Sequence, residues 1–210
     1  MKILTAILFG IMCIAQWVIP ARMIYQSEDV IESGTLFKFE TEPVDPSDPF
    51  RGKYITLNFK EDFIEDTSKW TSGEVVFVTF AKGEDGFARP LSIQRKQPTE
   101  GSYLRTKVLY SDVLSTPIEV PDSVLKIQDP QMRLAKMPQR VYFSIPFDRY
   151  YLEESKAQEA EEQYRVSQRD TTSTTYGLVR MGQGQAVLVD VMIDDKSIVD
   201  IVREINAKVN

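Results

Sequence analysis

The sequence predicts an α+β fold, a single β-rich domain of about eight strands with two peripheral helices, set behind an apolar N-terminal helix. Three observations carry that prediction. Short runs of alternating apolar and polar residues, separated by Gly, Pro and acidic turns, recur from residue 35 to residue 193. Only two later stretches, 152–167 and 198–209, have helical character. The first 25 residues are almost wholly apolar. A chain of 210 residues has room for one domain of about 150–180 residues and an appendage.

The apolar run 3–19 is interrupted only by Thr5, Gly10 and Gln16. As a helix it extends roughly 25 Å, at the short end of what a bilayer core requires. Pro20-Ala21 lengthens it, so residues 3–21 are the expected embedded part, and Trp17 and Tyr25 suit the membrane–water boundary. Lys2 favours a cytoplasmic N-terminus; Arg22 opposes it, but Glu28, Asp29 and Glu32 follow. The leading reading is a retained single-span anchor over 1–25 and a domain over 26–210 on the extracytoplasmic side. A cleaved signal competes, although Ile19-Pro20-Ala21 supplies only one of the small residues that cleavage wants. A lipoprotein would use Cys13, yet Met12 stands where a small residue is needed. A buried soluble helix is the third alternative, since a stretch apolar on every face does not lie on a globular surface.

The strands follow in order. Residues 35–41 alternate Phe37 and Phe39 with Leu36, Lys38 and Glu40. Residues 54–59 form the second run and 74–81, with Val75, Val76, Phe77, Val78 and Phe80, the third. Lys82-Gly83-Glu84-Asp85-Gly86 reads as a hairpin turn into 87–94. Further strands are expected at 102–110, 140–145, 176–181 and 185–193. In the last of these, Val187, Val189, Val191 and Ile193 share a face, and Gly182-Gln183-Gly184 forms the turn before it. The polar, proline-studded segment 111–138 is a long connection with one short strand near 124–127. Residues 152–167 hold strong helix formers and a thin apolar stripe, which places that helix on the surface, with Glu161 and Arg165 at supportive spacing. In the last helix Ile198, Ile201, Val202, Ile205 and Val209 fall at helical spacing, and Ser197 caps it with Asp200 three residues on. Tyr54-x-x-Leu57-x-Phe59 and Tyr142-x-x-Ile145-x-Phe147 echo one another, which raises a duplicated half-domain.

Composition excludes several chemistries. The chain has no histidine, so Ser-His-Asp, Cys-His and His-based zinc sites are ruled out. Its one cysteine, Cys13, lies in the apolar run and has no intrachain partner. Of the 25 basic side chains only Lys2 and Arg22 precede residue 26, and none of the 31 acidic ones does, so the rest of the chain carries a net −8. That surface is a poor partner for nucleic acid.

The most informative stretch is Asp45-Pro46-Ser47-Asp48-Pro49-Phe50-Arg51-Gly52-Lys53-Tyr54, running into Leu57 and Phe59. It resembles the signature of the GDYxxLxY family of bacterial membrane-anchored proteins, with Gly52, Tyr54 and Leu57 at its Gly, Tyr and Leu. Lys53 stands where the signature has aspartate and Phe59 where it has the last tyrosine. Asp85-Gly86, Arg149-Tyr150-Tyr151-Leu152-Glu153-Glu154 and Gly184-Gln185-Ala186-Val187-Leu188 follow in the family's order. The resemblance implies a bacterial, membrane-attached protein whose biochemical role is unassigned. It also implies a polytopic membrane protein as partner, because the gene often accompanies such genes.

Read as structure, the motif is a strand-entry device. Pro46 and Pro49 fix φ and hold the preceding residues extended, and Gly52 admits a close approach. Tyr54 lies on one face of the strand, Leu57 and Phe59 on the other. Read as function, Asp45 and Asp48, with Glu40 and Glu42, form a cation or partner site, although the prolines restrict the wrapping that calcium requires. The site candidates are thus Asp45, Asp48, Arg51, Gly52, Tyr54, Leu57 and Phe59, with Tyr150, Tyr151, Glu153 and Glu154 as a second group. No cofactor or metal is expected. The leading function is a non-catalytic interaction or accessory module. The alternative is an exported hydrolase using carboxylates or a Ser-Lys pair, for which Ser27 and Ser33 lack the usual sequence context.

Overall fold

The computed structural model describes residues 2–42, 54–113, 137–170 and 172–209. The N-terminal run forms one helix, α1 (Lys2–Ser33), with Pro20 inside it. Its segment Ile7–Ser33, which contains an 18-residue window of mean hydropathy 1.8, is long and apolar enough to cross a membrane. The large apolar side chains described along it, from Ile3 to Tyr25, are exposed. Beyond Tyr25 the helix continues without a break for two turns, and there Val30 is buried against the domain. Gly34 ends α1: its amide donates to the Val30 carbonyl at 2.9 Å, and a Cβ at Gly34 would collide with that oxygen.

Alternation then produces β1 (Thr35–Glu42), β2 (Tyr54–Thr56), β3 (Asn58–Phe59), β4 (Phe63–Asp66), β5 (Val75–Lys82), β6 (Ala88–Gln94), β7 (Tyr103–Val113), β8 (Gln139–Phe143) and β9 (Arg149–Tyr151). After α2 (Glu154–Arg169) come β10 (Thr175–Met181), β11 (Gln183–Gly184), β12 (Ala186–Ile193), β13 (Lys196–Ser197) and α3 (Ile198–Val209). One sheet has the order β13-β12-β10-β1-β3, the other β4-β8-β7-β5-β6 with β11 on β7, and β2 pairs β9 apart from both. The α+β expectation holds. The run 54–59 departs from it: the strand breaks at Leu57, and its two pieces join different sheets. The predicted strand at 124–127 lies outside the described residues.

The core lies between the two larger sheets and is centred on Phe39. Its ring sits 5.8 Å from Phe59, 5.2 Å from Phe80 and 5.1 Å from Phe147, each edge-on, an arrangement that aligns ring edges with ring faces. Gly177, opposite Phe39 in β10, makes room for this cluster: a Cβ there would lie 3.1 Å from the Phe59 ring and 2.9 Å from Leu188.

Three bulges turn apolar residues outward. The registers skip Leu91 in β6, Leu109 in β7 and Val189 in β12, and all three are exposed. The last corrects the expected shared face of Val187, Val189, Val191 and Ile193. Ahead of the bulge it is Ala186 and Leu188 that pack on the core; beyond it Val191 and Ile193 do. An extra residue in one strand reverses the alternation, which no periodicity count foresees.

The echo between the two motif stretches extends to the whole domain. Residues 35–94 and 103–193 each run as a long strand, a motif stretch and a hairpin, with α2 inserted in the second half. The halves exchange partners. Tyr54 pairs with Tyr151 and Phe63 with Tyr142, so the start of each motif stretch meets the end of the other. Hairpin β5–β6 of the first half adds to β7, and hairpin β10–β12 of the second adds to β1. Each hairpin's second strand carries a bulge. Each long strand also makes a parallel bridge to its own half's hairpin turn, Lys38 to Phe87 and Tyr103 to Gln183. Phe59 and Phe147, equivalent in the two motifs, meet at 5.4 Å between the halves.

The helices cover one side. Ala157, Ala160, Tyr164 and Ser167 give α2 its narrow buried stripe, and α3 buries Ile198 and Val202. Helix α2 begins two residues later than expected because Tyr150 and Tyr151 are taken into β9. Arg165 pairs with Glu162 rather than with Glu161. Ser197 does cap α3, its hydroxyl accepting from the Val199 amide at 3.3 Å.

Candidate functional site

Two stretches about a hundred residues apart in sequence meet in the β2–β9 ribbon, with Tyr54 opposite Tyr151, Ile55 opposite Tyr150 and Thr56 opposite Arg149. The Leu57 amide donates to the Asp148 carbonyl at 2.8 Å and extends the pairing. Alternation sorts the ribbon into two faces. Inward go Ile55, Leu57 and Phe59, all buried in the core. Outward go Tyr54 and Tyr151, their rings 5.5 Å apart, with the Arg149 guanidinium 5.2 Å over the Tyr54 ring and 3.9 Å from Asp148. Tyr151 is 66% exposed, although a ring of that size usually buries most of its surface. The Tyr151 hydroxyl first, then Tyr54 and Asp148, hold Arg149 more firmly in its charged form.

Of the predicted site residues, then, Tyr54 and Tyr151 share an exposed face, while Leu57 and Phe59 are core and unavailable to a ligand. Tyr150 belongs to neither group. Half-buried, it donates its hydroxyl to Asp190 Oδ1 on β12 at 3.1 Å, and burial, then Asp190, push its phenol well above the ordinary range. Glu153 starts α2 with its carbonyl, which accepts from Ala157 at 2.9 Å. Its exposed carboxylate pairs with Lys156 at 2.8 Å, which holds it below the usual range. Glu154 is the first residue of α2. Asp45, Asp48, Arg51 and Gly52 lie outside the described residues.

Sequence reasoning missed Arg149 as a member of this face; it stood next to the tyrosines, but only the pairing of β9 with β2 brings it over Tyr54. It also missed Glu61. Flanked by Lys60 and Asp62, Glu61 reads as part of a solvated turn, yet its side chain is 1% exposed. Oε1 accepts from Arg89 at 2.9 Å, while Oε2 is buried without a hydrogen-bond partner. Burial pushes its carboxyl up to about 7 against the pull of Arg89.

Two open clefts are lined by described residues. One, of about 340 Å³, holds Lys38, Tyr176 and Asp195. The Tyr176 hydroxyl donates to Asp195 Oδ1 at 2.5 Å, and Lys38 Nζ lies 3.4 Å from the same oxygen and 4.6 Å over the Tyr176 ring. Asp194 and Asp195 have φ of 49° and 62°, as a two-residue hairpin loop between β12 and β13 requires. These groups satisfy one another and hold that hairpin to β1. The other cleft, of about 470 Å³, lies between the end of α1 and the turns at 101–102 and 182–185, lined by amides, hydroxyls and Asp29. Ser33, which a Ser-Lys mechanism would consider, donates its hydroxyl to the Asp29 carbonyl one helical turn back. Among the described residues no three acidic or sulfur side chains converge as metal ligands.

Comparison with known proteins agrees with this reading of the motifs. A family model described as GDYXXLXY protein matches residues 16–191. No curated protein and no solved structure matches the chain.

Proposed function

The chain belongs to the GDYXXLXY family, and from that premise we propose that it is a membrane-anchored accessory protein that docks another membrane protein through the outward face of β2–β9. The carrying observation is the division of the motif residues between two faces. Leu57 and Phe59 are consumed by the core, whereas Tyr151 and Arg149 are exposed and the half-buried Tyr54 ring lies against both. Aromatic and arginine side chains are the groups that anchor protein interfaces, because aromatic rings bury large areas with few rotatable bonds and the guanidinium presents a planar fork of hydrogen-bond donors. The anchor is α1, and the domain stands on the extracytoplasmic side of a bacterial cytoplasmic membrane. The partner is a polytopic protein in the same membrane.

The test is a photocrosslinking residue placed at Tyr151 or, as a control on the opposite half, at Leu91, in full-length protein in native membranes. Crosslinks from Tyr151 to a multi-span protein and none from Leu91 are the expected result. Equal labelling at both, or turnover of a hydrolase substrate by the purified protein that Tyr54→Ala leaves intact, would overturn this reading.

A further inference from the structure

We propose that Glu61 is a proton-binding site that couples pH to the seam between the two sheets. The turn 60–62 carries the chain from β3 in one sheet to β4 in the other. Its backbone is tied to both sides: the Lys60 amide donates to the Glu40 carbonyl at 3.1 Å, and the Asp62 carbonyl accepts from Phe143 at 2.9 Å. Between these ties the Glu61 side chain turns inward and reaches Arg89 on β6, the edge strand that adjoins β1.

The surroundings make ionisation there costly. One carboxylate oxygen has Arg89; the other is buried without a well-formed hydrogen bond, although the Glu61 and Glu40 amides lie near enough to favour the charged form. A buried charge with an unsatisfied oxygen loses its hydration without full replacement, while the neutral acid loses far less. Arg89 is shared, because its other nitrogen donates to Asp85 in the hairpin turn at 2.6 Å. Glu40 on β1 faces the same region and disfavours a second negative charge, although Lys60 holds it at 2.5 Å. Asp62 is itself held high, by burial first and then by Glu42. Arg89 is thus the cation that pairs with Glu61, with Asp85 on its other nitrogen and Glu40 close to the carboxylate. The proton that the buried carboxyl binds comes from solvent, and returns there, when the turn opens. Burial, outweighing the Glu61 amide, Arg89 and the Glu40 amide, pushes the Glu61 carboxyl up to about 7.

Protonated, Glu61 sits in the seam as a neutral acid and Arg89 turns to Asp85. Ionised, it requires water at Oε2, and the turn opens to admit it. The seam is therefore tighter below neutral pH and looser above it. Tyr54 to Phe59 lie immediately before this turn, so the motif strand feels the change through the chain.

Hydrogen exchange of the full-length protein in detergent micelles, corrected for the intrinsic pH dependence of exchange, tests this. Protection of the peptides around 57–66 and 83–92, relative to β10, is expected to fall by about tenfold between about pH 6 and pH 8, the factor that release of one proton by the closed form produces. Glu61→Gln, a neutral stand-in for the acid, is expected to remain protected throughout. Arg89→Gln, which removes the attracting cation, is expected to move the transition to higher pH. Wild-type protection that does not vary with pH in these peptides would overturn the proposal, whether or not the variants fold. So would a pH-dependent loss that persists in Glu61→Gln.

Discussion

Two aromatic clusters made by the same two motif stretches have opposite fates. Phe59 and Phe147 meet each other and Phe39 between the sheets, closed to solvent, while Tyr54 and Tyr151 meet at the outer face of the ribbon with Arg149 above them. Tyr54 and Phe59 are five residues apart, an odd spacing that puts them on opposite faces. The inner cluster is where the two halves exchange strands, so its residues are fixed by the fold. The outer cluster contributes little to folding and is available to a partner. Within six residues the family motif thus holds a buried part and a surface part.

The comparison is broken most severely by Phe39→Ala, which removes the ring that packs edge-on against Phe59, Phe80 and Phe147. The expected loss is about 3–5 kcal/mol of stability, measured by denaturant unfolding of the domain signal in micelles. A loss as small as that of a surface substitution would mean the inner cluster does not hold the halves together. Next comes pH. Glu61 has a folded value near 7 against an ordinary value of 4.5, so the folded state binds the proton more tightly than the unfolded chain. The resulting stability is fully present below about pH 4.5 and is lost as pH rises through 7. Its size is about 3 kcal/mol at most, and Glu61→Gln should abolish that slope in thermal melts taken across the range.

A smaller effect is expected from Gly177→Ala, whose new methyl group presses on Phe59 and Leu188. Overpacking of this kind costs about 1–3 kcal/mol, readable as a lowered unfolding midpoint. Smallest is Tyr151→Ala, with a change of less than about 0.5 kcal/mol, since the ring is largely in solvent already. Co-purification with the membrane partner should nonetheless be lost. Retained co-purification, or a stability loss matching that of Phe39→Ala, would erase the distinction between the two clusters.

Much of this was legible in the chain. Period-two alternation located the long strands, Gly86 and its neighbours located a hairpin, and helical spacing located α3. The split of Tyr54 from Leu57 and Phe59 also followed from counting faces. What escaped has one physical cause, that pairing and burial are not local. Phe63–Asp66 is a strand because β8 lies beside it, and Tyr150 and Tyr151, which precede the predicted helix, form a strand because β2 lies beside them. The outward turn of Val189 comes from a bulge against β10. The site was legible in part: its two tyrosines stood in motifs, but nothing in sequence placed them together or put Arg149 above them.

The sequence by itself determined an apolar helix, a β-rich domain without histidine or disulfide chemistry, and membership in the family its motifs mark. Those follow from residue type and short-range spacing, which act along the chain. Only the tertiary structure decided that the two halves trade strands, that one motif face is core and the other surface, and that Glu61 is buried against Arg89. Those depend on which distant segments exclude water from one another, and that is settled when the sheets close.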